Sequence, residues 1–428
     1  MKNLLIAILV VLIVMLSTAC QVTPSTVLVQ SDKPRDTVPQ VSSSDSNTLV
    51  TGNNAFAFDL YHRLQNEPGN LFFSPYSISI ALAMTYAGTV RDTESQMAQV
   101  MHFDLPQAQL HPAFNQIALE LAQRATAEGV DPSQAFTLHV VNATWGQKGY
   151  TFLSGYLDIL AEDYGAGVRQ LDFAANPENA RNTINQWVSQ ETQNKINDIL
   201  PAGSIDTLTR LVLSNAIYFK ADWSNEFDKS LTKDDVFHLS AGGTTTVPMM
   251  SRTGLYNYMA GSGYQALEMP YAGEQLSMLI ILPDEGKFAQ VASSLDSSGL
   301  AGIVDSLQSR NVNVTLPKFT FEYDLGLKSW LQQMGMVDAF DPTKADFSGM
   351  DGKKDLYISN VLHKAFVAVD EAGTEAAAAT TVIVGVTSMP VEQPIAFKAD
   401  RPFIFLIRDI PTGTILFLGN IMNPTPVN

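Results

Sequence analysis

The sequence predicts an α+β fold in one large domain. Stretches with apolar residues at helical spacing dominate the front of the chain, and short apolar or alternating runs of strand length dominate the back. No linker-like stretch and no internal repeat interrupts residues 50–425. A chain of 428 residues, 46% hydrophobic, can bury a full core.

From the start of the chain, Lys2 and the apolar run 4–16 read as a targeting segment over residues 1–20, too short for a membrane span. Cys20 is the single cysteine, which rules out an intramolecular disulfide. Leu16-Ser17-Thr18-Ala19-Cys20 resembles a bacterial lipoprotein cleavage box, with Ser17 where Leu is usual. Two readings stay open: lipidation of Cys20, or an ordinary signal peptide cut at Ala19 with an idle thiol. Either makes the protein extracytoplasmic, as a lipid-anchored cell-surface protein or a secreted one. Residues 21–48, rich in Ser, Thr, Pro, Val and Asp, read as a disordered tether.

Folding is expected to begin near Thr51, where Ala55, Phe56, Leu60 and Leu64 keep helical spacing. Ser74-Pro75 reads as an N-cap and first helical residue, with Ile78, Leu82 and Thr85 along one side after it. Ile184, Trp187 and Val188 mark a further helix, ended near Pro201. Residues 211–218 are almost wholly apolar, as a strand buried on both faces should be, and 277–282 read likewise as a strand. Val312-Asn313-Val314-Thr315-Leu316 alternates at period two. Late strands are expected over 361–369, 403–407 and 415–418.

A net charge of −17 argues against nucleic acid or an anionic surface as partner. The six histidines, His62, His102, His111, His139, His238 and His363, form no metal-spaced pair, and H-E-x-x-H is absent. G-x-S-x-G and the phosphate-cradling G-x-x-x-x-G-K-[ST] are absent too. No metal, cofactor or enzymatic activity is expected. His363, in an apolar run, reads on its own as a satisfied core residue.

The segment 370–386 mixes preferences. An alanine run follows a glycine and leads into a β-branched tail. At period two, Thr374, Ala376, Ala378, Thr380, Val382 and Val384 share an uncharged face, so the segment can be a strand. Thr374 capping the alanines of a surface helix fits the composition equally. A segment with two available conformations can store free energy and release it on a trigger.

The residues around this segment resemble the serpin family. The hinge motif E-x-G-T-E-A-A-A-A-T is matched by Glu371, Gly373, Thr374, Glu375, Ala376, Ala377, Ala378, Ala379 and Thr380. Phe397-Lys398-Ala399-Asp400-Arg401-Pro402-Phe403 matches F-x-x-x-R-P-F, with Asp400 where Asn is usual. Further matches run in the family's order. They are Phe73-Ser74-Pro75-Tyr76-Ser77-Ile78, Leu213-Ser214-Asn215-Ala216-Ile217-Tyr218-Phe219-Lys220 with Trp223, Leu267-Glu268-Met269-Pro270-Tyr271 and Pro317-Lys318-Phe319. Met334-Gly335-Met336-Val337-Asp338-Ala339-Phe340 and Ala345-Asp346-Phe347-Ser348-Gly349-Met350 complete them.

The resemblance implies a serpin-like fold over 49–428: mixed β-sheets with a large central sheet A, about eight to nine helices, and an exposed reactive-centre loop at about 371–396. It implies a suicide-substrate inhibitor whose partner is a serine protease, held as a covalent acyl-enzyme. The scissile bond would follow the fifteenth residue counted from Gly373, between Thr387 and Ser388, or follow Val386 or Met389 if the count slips. None of these is charged, which favours elastase-, subtilisin- or chymotrypsin-like proteases over trypsin-like ones. The family's polar "shutter" cluster under the central sheet would be Ser74, Ser77, Asn215 and His363, in a structural role. A monomer is expected, touching membrane only through a lipid anchor. Heparin is not expected as a partner, because the helix around 92–100 lacks a Lys/Arg cluster. A non-inhibitory serpin and an extracytoplasmic binding lipoprotein are the alternatives.

Overall fold

The computed structural model of the chain describes residues 26–124, 136–240, 242–374 and 393–425. Strand β1 (Val27–Val29) precedes helix α1 (Ser43–Leu64), and β2 (Leu71–Phe73) leads into α2 (Pro75–Tyr86), α3 (Arg91–Met101) and α4 (Gln107–Arg124). Next come β3 (Thr137–Gln147), α5 (Ser154–Tyr164), β4 (Val168–Leu171), α6 (Pro177–Glu191) and β5 (Leu211–Asp222). β6 (Lys233–His238), β7 (Thr244–Ala260), β8 (Tyr264–Pro270) and β9 (Leu276–Pro283) follow in an antiparallel run. After α7 (Phe288–Ser294) and α8 (Ser297–Ser306) come β10 (Gln308–Pro317), β11 (Phe319–Gly326), α9 (Lys328–Met334) and α10 (Ser348–Asp351). The chain closes with β12 (Ile358–Val369), the two-residue β13 (Gly373–Thr374), β14 (Ile395–Lys398), β15 (Phe403–Asp409) and β16 (Ile415–Ile421).

The class is α+β, as expected. Ten α-helices lie among the described residues, more than the expected eight or nine because short pieces such as the single-turn α10 count. The large central sheet has seven strands in the order β1-β4-β3-β5-β13-β12-β11. A second sheet runs β14-β10-β7-β8-β9-β15-β16-β2, with β6 beside β7.

Helix α2 lies beneath the central sheet. Its sequence is apolar all round, and every residue in it is buried. Ser74 starts it by accepting the Ser77 amide N–H at 3.1 Å, with Pro75 at the first position. On the other face, Val212 and Ala216 of β5 pack with Trp145 of β3 and with Ile184 and Val188 of α6. β5 is thus covered on both sides, which is why 211–218 carries no polar alternation.

Residues 26–48, expected as a tether, are instead held against the body. β1 pairs antiparallel with β4 through Val27↔Gln170, Leu28↔Arg169 and Val29↔Val168. Beyond it, Ser31 Oγ donates to Asp158 Oδ1 at 2.6 Å, and Lys33 Nζ lies 3.1 Å from Glu162. Arg35 Nε donates to Asn115 Oδ1 at 2.8 Å, and Asn115 Nδ2 returns a bond to the Asp36 carbonyl at 2.7 Å. Helix α1 starts at Ser43, earlier than expected, because Ser42 Oγ accepts the Asp45 amide at 3.1 Å. Gly167 lets the strap pass: a Cβ there would stand 2.6 Å from the Val29 carbonyl oxygen. Every partner is far away in sequence, so the segment's composition carries no trace of its docking.

Candidate functional site

The central sheet is split along one line. β5 and β12 pair directly and in parallel from Leu211↔Ile358 to Tyr218↔Phe366. Above that point β13 sits between them, antiparallel to both, with Gly373↔Asp222 and Thr374↔Ala221 on one side and Thr374↔Val369 on the other. The chain that leaves β12 therefore turns back and begins a strand inside the sheet.

Local chemistry shapes this turn. Asp370 Oδ1 accepts the amides of Ala372 at 2.9 Å and Gly373 at 3.3 Å, an Asx-type turn. Trp223 donates its amide to the Ala372 carbonyl at 2.8 Å and its indole N–H to the Asp370 carbonyl at 3.0 Å. Glu371 is buried, yet Lys318 Nζ lies 2.6 Å from one of its oxygens and Thr232 Oγ1 donates to the other at 2.8 Å. Burial alone would raise its carboxyl, but the Lys318 ammonium and the Thr232 hydroxyl outweigh this and hold it below its ordinary value. Gly373 is required: a Cβ would stand 2.1 Å from the Ala221 carbonyl oxygen. Thr374 is 1% exposed, and its hydroxyl lies 2.8 Å from the Tyr271 hydroxyl. Tyr271 in turn stacks on Trp223 at 4.7 Å between ring centroids.

Below the turn, a buried polar cluster bridges the paired part of the seam. His363 and Asn215 face each other across β12 and β5. His363 Nε2 accepts the Ser74 amide at 3.1 Å, and its Nδ1–H donates to Asn215 Oδ1. Asn215 Nδ2 donates to the Ser77 carbonyl at 2.9 Å and to Asn142 Oδ1. Burial pushes His363 down to about 3, in keeping with a ring nitrogen that accepts an amide N–H. The ring is neutral at ordinary pH, so the cluster links three strands, β3, β5 and β12, to α2 without burying a charge.

The structure brings Ser74, Ser77, Asn215 and His363 into one cluster, and places Glu371, Gly373 and Thr374 together at the mouth of the seam. Glu375, Ala376, Ala377, Ala378, Ala379 and Thr380 of the hinge lie outside the described residues. So do Val386, Thr387, Ser388 and Met389 of the expected scissile region, and Cys20. Several contributors carried no expected role, among them Trp223, Asp370 and Thr232 at the turn. Asn142 of β3 completes the cluster, Tyr271 receives Thr374, and Lys318 holds Glu371. An asparagine amid Val140, Val141 and Ala143 was the one local sign, since Asn is disfavoured inside strands. Among the described residues no group of three His, Cys, Asp or Glu side chains is placed to hold a metal, and no helix is long and apolar enough to cross a membrane.

A central sheet opened at one seam by a returning strand, with a buried polar cluster beneath, is the architecture of a serpin. The family model "Serpin (serine protease inhibitor)" matches residues 51–424, and the chain belongs to the serpin family. It is 44% identical over 377 residues to an uncharacterised serpin-like protein of Thermococcus kodakarensis, covering 88% of this chain and 86% of that one. It is 38% identical to the human leukocyte elastase inhibitor, over 88% of this chain and 99% of the relative. Among solved structures, the thermophilic serpin tengpin in its native state superposes with a TM-score of 0.82 at 27% identity, covering 93% of this chain and all of that one. Uncleaved ovalbumin gives 0.79 at 28% identity, covering 88% and 100%.

Proposed function

We propose that this serpin inhibits a serine protease as a suicide substrate. The protease serine attacks the carbonyl of the scissile residue, Thr387 on the motif count, and the Ser388 amine leaves. The acyl-enzyme that forms is still tethered to the hinge. The freed hinge side then runs into the seam between β5 and β12, carrying the protease away before water completes deacylation.

The observation that supports this reading is that β13 already pairs with both bordering strands, Gly373 and Thr374 with β5 and Thr374 with β12. Their register predicts the rest. Continued one residue at a time, it brings Ala376 between Phe219 and Val367, and Thr380 between Asn215 and His363. Thr380 falls on the same side of the strand as Thr374, so its hydroxyl would arrive where the His363–Asn215 contact parts. The alanines between are small enough to pass without moving the core. About a dozen new backbone hydrogen bonds at roughly 1 kcal/mol each would release on the order of 10 kcal/mol, comparable to a domain's whole stability. The intact form is on this account metastable and kinetically held.

The uncharged candidates at 386–389 and relatives named as leukocyte elastase inhibitors favour elastase-like targets, with subtilisin- and chymotrypsin-like enzymes next. The protein would act outside the cytoplasm, released or anchored through Cys20. Incubation with elastase-, subtilisin- and trypsin-like proteases tests the mechanism. A serpin–protease band that survives denaturing electrophoresis is expected with the first two. Mass spectrometry of the released C-terminal peptide places the cut. Clean cleavage with no surviving band would sink the proposal.

A further inference from the structure

A second feature lies away from the hinge, between α4, α5, α2 and β3. It is a cavity of about 270 Å³ with largely apolar walls, including Ile80, Phe114, Leu121, Phe136 and Val140. Two charged side chains line it: Asp163, near the C-terminal end of α5, and Arg35 from the docked strap.

Asp163 is badly placed for a carboxylate. It is half-buried beside apolar groups, and it stands at the end of an 11-residue helix, where the backbone dipole already presents negative charge. Burial pushes its pKa up to about 6, the neighbouring Glu162 and Asp36 add to this, and Arg35 pulls only weakly the other way. Among the described residues no hydrogen bond or ion pair relieves it. Lys33 is engaged on Asp158 and Glu162, and Arg35, which lines the same cavity, turns its Nε to Asn115 and makes no ion pair with Asp163.

We propose that this cavity binds an aliphatic amine, its chain against Phe114, Leu121, Phe136 and Val140 and its ammonium on the Asp163 carboxylate. The apolar walls remove the chain from water, and the cation supplies the donors that Asp163 lacks. A neutral hydroxyl can donate one hydrogen bond to that carboxylate but brings no charge to offset Glu162 and Asp36, and an anionic head group adds to their repulsion. The excess of acid over base in the chain draws cations toward the site. One wall is β3, which pairs with β5 and whose Asn142 also bonds Asn215, so the ligand would touch the neighbour of a strand that borders the seam.

The test is calorimetric titration of the full-length protein with n-octylamine, n-octanol and octanoate at neutral pH. One saturable site is expected, with octylamine binding about tenfold or more tightly than octanol, as one charge-assisted hydrogen bond provides. Octanoate should bind weakest. Asp163→Asn should bring octylamine to the level of octanol. Ala118→Leu, and separately Leu121→Trp, fill the cavity and should abolish both, with circular dichroism checking that each variant folds. Equal binding of amine and alcohol, strongest binding of octanoate, no binding at all, or a preference that survives Asp163→Asn would each overturn the proposal. None of these measurements depends on protease inhibition.

Discussion

Replacing Thr374 with arginine tests the hinge most directly. Thr374 is 1% exposed and meets Tyr271, which is packed on Trp223 and Phe219. An arginine there must bury a cation in that aromatic corner or pull β13 out of the sheet. Leaving a charge buried without a partner costs about 3–5 kcal/mol. If the transition state for insertion bears most of that, insertion slows by about 100- to 1000-fold, since each 1.4 kcal/mol is about tenfold. Deacylation then wins the race, and the loop is cut without trapping. The assay is the yield of denaturant-resistant complex against the yield of cleaved protein, with an elastase-like protease. Trapping at the unmodified protein's yield would refute the reasoning about Thr374.

Gly373→Ala places a methyl group 2.1 Å from the Ala221 carbonyl, which cannot yield, so β13 should leave the sheet at a loss of about 1–3 kcal/mol. A change in tryptophan emission that disappears when Trp223→Phe is added would report it. Burial holds His363 at about 3 and His111 at about 4, both below the ordinary histidine value. The unfolded chain therefore binds more protons than the folded one below about pH 6.5, so stability is full above that pH and falls as the medium is acidified. At pH 5 each ring accounts for a loss of about 2 kcal/mol, and unfolding midpoints that do not drop between pH 7 and pH 5 would contradict this. Gly167→Val forces a side chain into Val29 and Gln30, so hydrogen exchange should quicken at β1 and β4 while β5 stays protected.

What the sequence disclosed follows from where each constraint sits. The β5 strand was legible because burial on both faces is written in its own residues. The turn was legible through Gly373, whose need for a bare backbone shows as a glycine. Ser74, Ser77 and Asn215 sit in short motifs on two separate elements, His363 was reached through what the family resemblance implies, and the fold brings the four together. Asn142 escaped because its role depends on β3 meeting β5 in the register that sets Asn142 opposite Asn215, and neither strand states its partner. The strap escaped for the same reason. Ser31, Lys33 and Arg35 look like tether residues until α4 and α5 supply Asn115, Asp158 and Glu162. Asp163 is an unremarkable acid in sequence, and its burden comes from a cavity assembled by four elements.

The two residues of β13 bear on timing. Starting a strand between two others is the slow part of zipping, because chain entropy is lost before contacts repay it. On the proposed mechanism that nucleus exists before the loop is cut. What a cut must then drive is propagation alone, and the resistance left is the line of eight facing residue pairs from Leu211↔Ile358 to Tyr218↔Phe366. The pace of the trap would accordingly be written in those pairs rather than at the entrance above them.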